Sequence, residues 1–197
     1  MALGFSVHTG WAAMVAIARS GSTLSVLDRR RVGMLPISTS NRPEASPHVY
    51  HAARELPPED ARALLRLAED EARSKAREAL GAAIAHLHGT GHRVVGSAII
   101  TARQGPSRSL EEILQSHTLV HAAEGALFRA VIRAASEELG LPVIQVQAPE
   151  LVRRAAVALG LRKDAVPAYL TQLGRPLGPP WTADHKAASL AAVLALG

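Results

Sequence analysis

Cysteine is missing from this chain of 197 residues. Its absence excludes disulfides, thiolate zinc sites and thiol nucleophiles, and it fits a reducing compartment. Aromatic residues are scarce, at 3%, although hydrophobic residues reach 48%. Alanine and leucine must then fill the core, which demands close contact between helices and sheet and leaves little room for ring stacking. Long apolar runs are missing as well. No stretch attains the roughly 18–20 uninterrupted apolar residues of a membrane helix. The first segment has no basic leader, and Ser6, His8, Thr9 and Gly10 interrupt its apolar residues. The expectation is a soluble, cytoplasmic protein without a membrane partner, built as a single domain over residues 1–197.

Acids are outnumbered, 17 against 22 lysines and arginines, for a formal charge of +5. That balance permits a nucleic-acid partner without requiring one.

What is present falls into a readable order. Leu3, Phe5 and Val7 alternate with Gly4, Ser6 and His8, a strand periodicity that runs on through Trp11 to Ala18. Arg19-Ser20-Gly21-Ser22 is a turn signal, so Thr23–Leu27 should return as the other arm of a hairpin. A third strand is expected around Val32–Ile37, followed by a loop over Ser38–Pro47. Pro57 and Pro58, with Glu59 and Asp60 behind them, open a long helix. Its expected apolar stripe is Leu64, Leu67, Ala68, Ala72, Ala76, Leu80 and Ile84. Gly89 and Gly91 stop it. Val94–Ala102 reads as a strand covered on both faces, and Gln104–Ser107 as a loop. Ser109 and Glu112 form a capping-box pattern for a helix that reaches Leu139, broken once at most. A strand over Pro142–Val146, a helix opened by Pro149, a short helix over Asp164–Leu173, a Pro/Gly connector and a closing helix to Leu196 complete the chain. Thr182 or Asp184 caps that last helix.

Gly4-Phe5-Ser6-Val7-His8-Thr9-Gly10-Trp11-Ala12 resembles the first strand of bacterial Holliday-junction resolvases of the RuvC type. Ala122-Ala123-Glu124-Gly125, Ala130-Val131-Ile132, Leu141-Pro142-Val143, Ala148-Pro149-Glu150-Leu151-Val152 and Ala187-Ala188-Ser189-Leu190-Ala191 follow that family's helices and strands in order. Ser116-His117 through Gly125 and Gly178-Pro179-Pro180-Trp181 also resemble phrases of another bacterial protein group, which implies no function. The resolvase resemblance implies an α/β, ribonuclease H-like fold: a mixed sheet with an antiparallel N-terminal hairpin, parallel later strands and helices on both faces. It also implies metal-dependent cleavage of nucleic acid, and there this sequence departs from the pattern. The family's first aspartate falls on Ser6, its central glutamate falls near Ile99–Thr101, and of its closing acids Asp184 remains, beside His185 and Lys186. One aspartate cannot hold two hard cations, which need several carboxylate oxygens.

Three groups of residues could carry other chemistry. His117, His121 and Glu124 are spaced i, i+4 and i+7, so on a helix they share a face. Two imidazoles one turn apart can bind a divalent transition metal with a carboxylate completing the set; equally, they can form a polar helix edge with Glu124 bonded to an arginine. Ser6, His8, Thr101, Asp184, His185 and Lys186 make up a candidate catalytic pocket at the place of the family's acids, which the histidine helix could also approach. Ser6, His8 and Asp184 include the residue types of nucleophile, base and orienter, but no sharp turn exposes Ser6. His86, His88 and His92 end a helix, where cationic imidazole suits the dipole. Trp181 either anchors the connector or stacks on a base. The functional expectation is a nucleic-acid-associated ribonuclease H-like protein without the usual nuclease site. The alternatives are a metal-binding protein or hydrolase using the His/Glu/Asp cluster, and a homo-oligomeric interaction module, with a homodimer as the expected partner state.

Overall fold

The computed structural model describes residues 1–35, 46–103 and 105–197. The loop expected over Ser38–Pro47 therefore lies almost entirely outside the described residues, as do Ile37 and Gln104.

The strand-like run from Leu3 to Ala18 is two strands, β1 (Ala2–His8) and β2 (Trp11–Ser20), paired antiparallel through a two-residue turn. Gly10 makes that turn possible: its φ is +78°, and an added Cβ would lie 2.6 Å from Pro47. Alternation alone could not show the break. Pairing His8 with Trp11 inverts the parity, so Leu3 and Phe5 share a face with Ala12, Met14 and Ala16. But β2 is buried on both faces from Ala12 to Ile17 and carries no alternation to reveal the change. The next strand, β3 (Thr23–Gly33), is continuous where two strands were expected. Its register against β2 shifts between Ala16 and Ile17, leaving Leu27 without an opposite residue. The bulge resets the alternation there, which is why residues on either side of it read as separate segments.

On the other flank of β1 lie β4 (Gly96–Thr101) and β5 (Val143–Gln147), both parallel. The five-stranded order is β3-β2-β1-β4-β5. This is the mixed ribonuclease H-like sheet expected, with helices on both faces.

One face carries α1 (Val49–Ala53), α2 (Pro58–Gly89), α3 (Leu110–Gln115) and α4 (His117–Glu138). α2 buries Ala61, Ala68, Ala72, Ala76, Leu80, Ala83 and Leu87. Leu67, expected in that stripe, is 69% exposed. Alanine occupies the seam because α2 packs closely against α4, and a leucine row would hold the two helices apart. The break in the third-quarter helix falls at Ser116, which caps α4 by accepting the Leu119 N–H, while Ser109 and Glu112 form the capping box of α3.

The other face carries α5 (Ala148–Leu159), α6 (Val166–Gly174) and α7 (Ala183–Ala195). α7 lies on β1, β2 and β4. It comes so near β1 that a Cβ on Gly4 would sit 1.8 Å from the Ala188 carbonyl oxygen. Gly4 therefore decides the depth of α7 and, through it, the position of the side chains at its N-terminus. No helix among the described residues is long and apolar enough to cross a membrane.

Candidate functional site

Strand alternation divides the candidate residues between the two faces. Leu3 and Phe5 enter the core beneath α2 and α4. Gly4 and Ser6 point to α7, and His8 continues that side. Thr182, not Asp184, is the N-cap of α7: its hydroxyl accepts the His185 N–H, and His185 Nδ1 in return accepts the Thr182 N–H. This cap turns Asp184 toward β1.

Ser6, His8 and Asp184 do converge. Ser6 Oγ donates to Asp184 Oδ1 at 3.1 Å, and His8 Nε2 lies 2.7 Å from the same oxygen. The order is wrong for a nucleophilic triad, because the serine proton goes to the carboxylate instead of the imidazole. His8 also stacks on Trp11, with centroids 4.4 Å apart, and the Arg31 guanidinium lies 3.9 Å from the Trp11 centroid. A row of carboxylate, imidazole, indole and guanidinium thus crosses the three antiparallel strands.

The remaining members of the expected pocket go elsewhere. Thr101 shares the parity of Ile99, which packs into the α2/α4 core, and its hydroxyl donates to the Val146 carbonyl at 3.4 Å. Thr101 is therefore on the opposite side of the sheet from Ser6. The ring of His185 is engaged in the helix cap and stacks on Trp181 at 5.7 Å. Burial, and next the Arg29 guanidinium, hold its pKa below the ordinary 6.5 against the upward pull of Asp184. Lys186 follows on α7, half-buried. Trp181 anchors the connector: its Nε1 donates to the Leu170 carbonyl at 2.8 Å, and its ring rests where any side chain on Gly174 would stand. Arg29 clasps the same connector, donating to the carbonyls of Leu177, Gly178, Pro179 and Pro180.

The resemblance implies a pair of divalent cations held by carboxylates at this corner. The donor set does not fit them. Asp184 is the acid that β1 and α7 bring together here, and its Oδ1 already receives two hydrogen bonds. Among the described residues, three or more histidine or acidic ligand atoms gather within 4.8 Å in two overlapping sets, and both are on the other face of the sheet.

Those sets are His51, His117 and His121, and His48, His51 and Glu124. The expected helix face is there, since α4 presents His117, His121 and Glu124 together. Among the described residues, Glu124 is not bonded to an arginine. It is 1% exposed, and Oε1 accepts from the His51 backbone N–H at 3.3 Å and lies 3.0 Å from His51 Nδ1. Oε2 lies 3.0 Å from His48 Nδ1. The rings of His117 and His121 are 4.4 Å apart, and that of His51 is 4.6 Å from His121. Burial first, and then the charges of Glu69 and Glu124, push the neighbouring Tyr50 phenol upward, so it stays protonated. His48 and His51 were not anticipated from the sequence. Their i, i+3 spacing was the available signal, but α1 is five residues long and shows no periodicity.

A groove of about 650 Å³ runs between the β4/β5 edge and another face of α4. Arg103, Arg108, Arg129 and Arg133 line it together with Thr101 and Gln145, and among the described residues no carboxylate lines it. Arg129 and Arg133 make no ion pair among the described residues, whereas Arg108 pairs with Glu112. Burial lowers the pKa of Arg129 from its ordinary value, a sign that its charge has lost hydration. Gly125 gives it room: a Cβ there would come within 2.9 Å of the guanidinium.

No protein-family model matches this chain, and no curated protein matches it. Solved structures do. The chain is similar to a Thermus thermophilus RuvC structure, with a TM-score of 0.51 and 14% identity over 98% of this chain and 90% of that one. It is equally similar to T. thermophilus RuvC in complex with Holliday junction substrate, with a TM-score of 0.51, 16% identity and the same coverage. At such identity the likeness establishes the ribonuclease H-like fold.

Proposed function

We propose that this protein binds nucleic acid through the arginine-lined groove and lacks the two-metal cleavage chemistry of resolvases. The observation that carries the reading is the groove itself: four arginines around one concavity, with no acid lining it among the described residues. Guanidinium forks match phosphate oxygens in shape and charge. A partly dehydrated Arg129 that has no acidic partner among the described residues gains most from an anion. The fold neighbour bound to a Holliday junction supports the same ligand class. The replacement of the first acid by Ser6, with the proton traffic of Ser6 and His8 already spent on Asp184, supports the absence of cleavage.

Binding of labelled duplexes and four-way junctions, measured by anisotropy across a salt series, tests this. The logarithm of the affinity should fall linearly with log salt concentration. Arg129→Gln/Arg133→Gln should weaken binding to all sequences and reduce the salt slope by about 2, roughly one per phosphate contact. Absence of binding at low salt, or an unchanged slope in the variant, removes the proposal. Magnesium-dependent cleavage that disappears in Asp184→Asn would overturn its second half.

A further inference from the structure

The cluster on the other side of the sheet from Asp184 has a different chemistry. We infer that His51, His117 and His121 form a site for a single divalent transition-metal ion of the zinc type, with Glu124 behind them as the group that orients His51. A buried carboxylate bonded to Nδ1 of an imidazole fixes the tautomer and turns Nε2 outward as a lone-pair donor, the usual outer support of a metal-bound histidine. Glu124 is buried and does this to two imidazoles at once, His48 and His51. Ligand atoms of His51, His117 and His121 all lie within 4.8 Å of one another, and with His51 Nδ1 held by Glu124 its Nε2 is the nitrogen offered to a metal.

Tetrahedral coordination at about 2.0–2.1 Å puts neighbouring nitrogens about 3.3 Å apart. Rotations of the exposed His117 and His121 rings, without backbone movement, can close that difference. Three neutral imidazoles select zinc, cobalt, nickel or copper over magnesium or calcium, which prefer oxygen. Three protein ligands also leave a fourth position for water or a ligand atom. The role of Glu124 therefore differs from the one its helical spacing suggests: it stands behind the ligands and is not one of them. The site is independent of the arginine groove, because His117, His121 and Glu124 occupy a face of α4 adjacent to that of Ala122, Ala126, Arg129 and Arg133.

The test uses the full chain without a histidine tag, stripped with a chelator. It is titrated with Zn²⁺ against a chromophoric competitor, and with Co²⁺ by absorption. The wild type should take a single equivalent, with the intense visible Co²⁺ bands of a four-coordinate site. His117→Ala/His121→Ala should lose both signals while keeping nucleic-acid binding. Glu124→Gln should weaken Zn²⁺ binding by about 10- to 100-fold, and His86→Ala/His88→Ala should leave it unchanged. Failure of the wild type to bind an equivalent, or equal binding by His117→Ala/His121→Ala, overturns the site. The wild-type Co²⁺ spectrum stands even where a variant fails to fold: a six-coordinate spectrum overturns the three-histidine geometry.

Discussion

Two carboxylates, Asp184 and Glu124, each gather imidazole on opposite faces of one sheet, and their wiring differs. Asp184 is 33% exposed beside a His8 that is 40% exposed, and one of its oxygens takes both partners. Glu124 is 1% exposed and uses both oxygens on His48 and His51. The exposed acid ends a hydrogen-bond row that stitches α7 to β1. The buried acid stands behind a fan of rings whose outer nitrogens make no hydrogen bond among the described residues. Residue type is nearly the same in the two places. Depth and the order of bonding separate a structural tie from a ligand-presenting cluster, since a buried charge must be fully bonded while an exposed one is already hydrated.

The largest way to break this comparison is Gly4→Ala. A methyl 1.8 Å from the Ala188 carbonyl oxygen must push α7 off the sheet. The expected loss is about 3 kcal/mol in chemical denaturation. Wild-type stability in this variant would mean that α7 does not rest on β1 as described. Next comes the direct contrast of Glu124→Leu with Asp184→Leu. Removing Glu124 leaves the half-buried His51 N–H without its partner and should cost about 2 kcal/mol. Removing Asp184 exposes Ser6 and His8 to water, which replaces the lost bonds, so about 1 kcal/mol or less is expected. Equal losses would erase the distinction drawn from burial.

The smallest effect sharpens the α7 side alone. His185 accepts a hydrogen bond at Nδ1, and its pKa is held below 6.5. A group depressed in the folded state stabilises fully above its unfolded value, and that contribution disappears as pH falls through the folded one. Stability should therefore decline as pH falls below about 6.5. His185→Gln preserves a capping-box residue at that position but cannot titrate, so its stability should fall less over the same range. Parallel pH profiles for the two proteins would show that the cap does not depend on a neutral ring.

Much of this was legible before any coordinates. The i, i+4, i+7 spacing put His117, His121 and Glu124 on one face, and Ser109 with Glu112 announced α3. The proximity of Ser6 and His8 to Asp184 followed from the resemblance. His48 and His51 did not show, because they lie just before and within a five-residue helix with no periodic signal. The division of β1 from β2 was hidden because β2 is apolar and buried on both faces, so the inversion of parity across Thr9-Gly10 leaves no polar/apolar mark. Thr101 was misplaced because its face follows from the parallel register of β4 on β1, and register is set between strands.

Local rules acting within about ten residues thus wrote the helices, caps and strand periodicity into the chain itself. Spacing on α4 belongs to that level, since 3.6 residues per turn is a property of the helix alone. Packing across the sheet decided the rest: that Glu124 is buried with two imidazoles from a distant segment, that Asp184 stays half in water, and that the two clusters stand back to back. Burial depends on what covers a residue, and the covering groups here lie 73 and 76 positions from Glu124 in sequence.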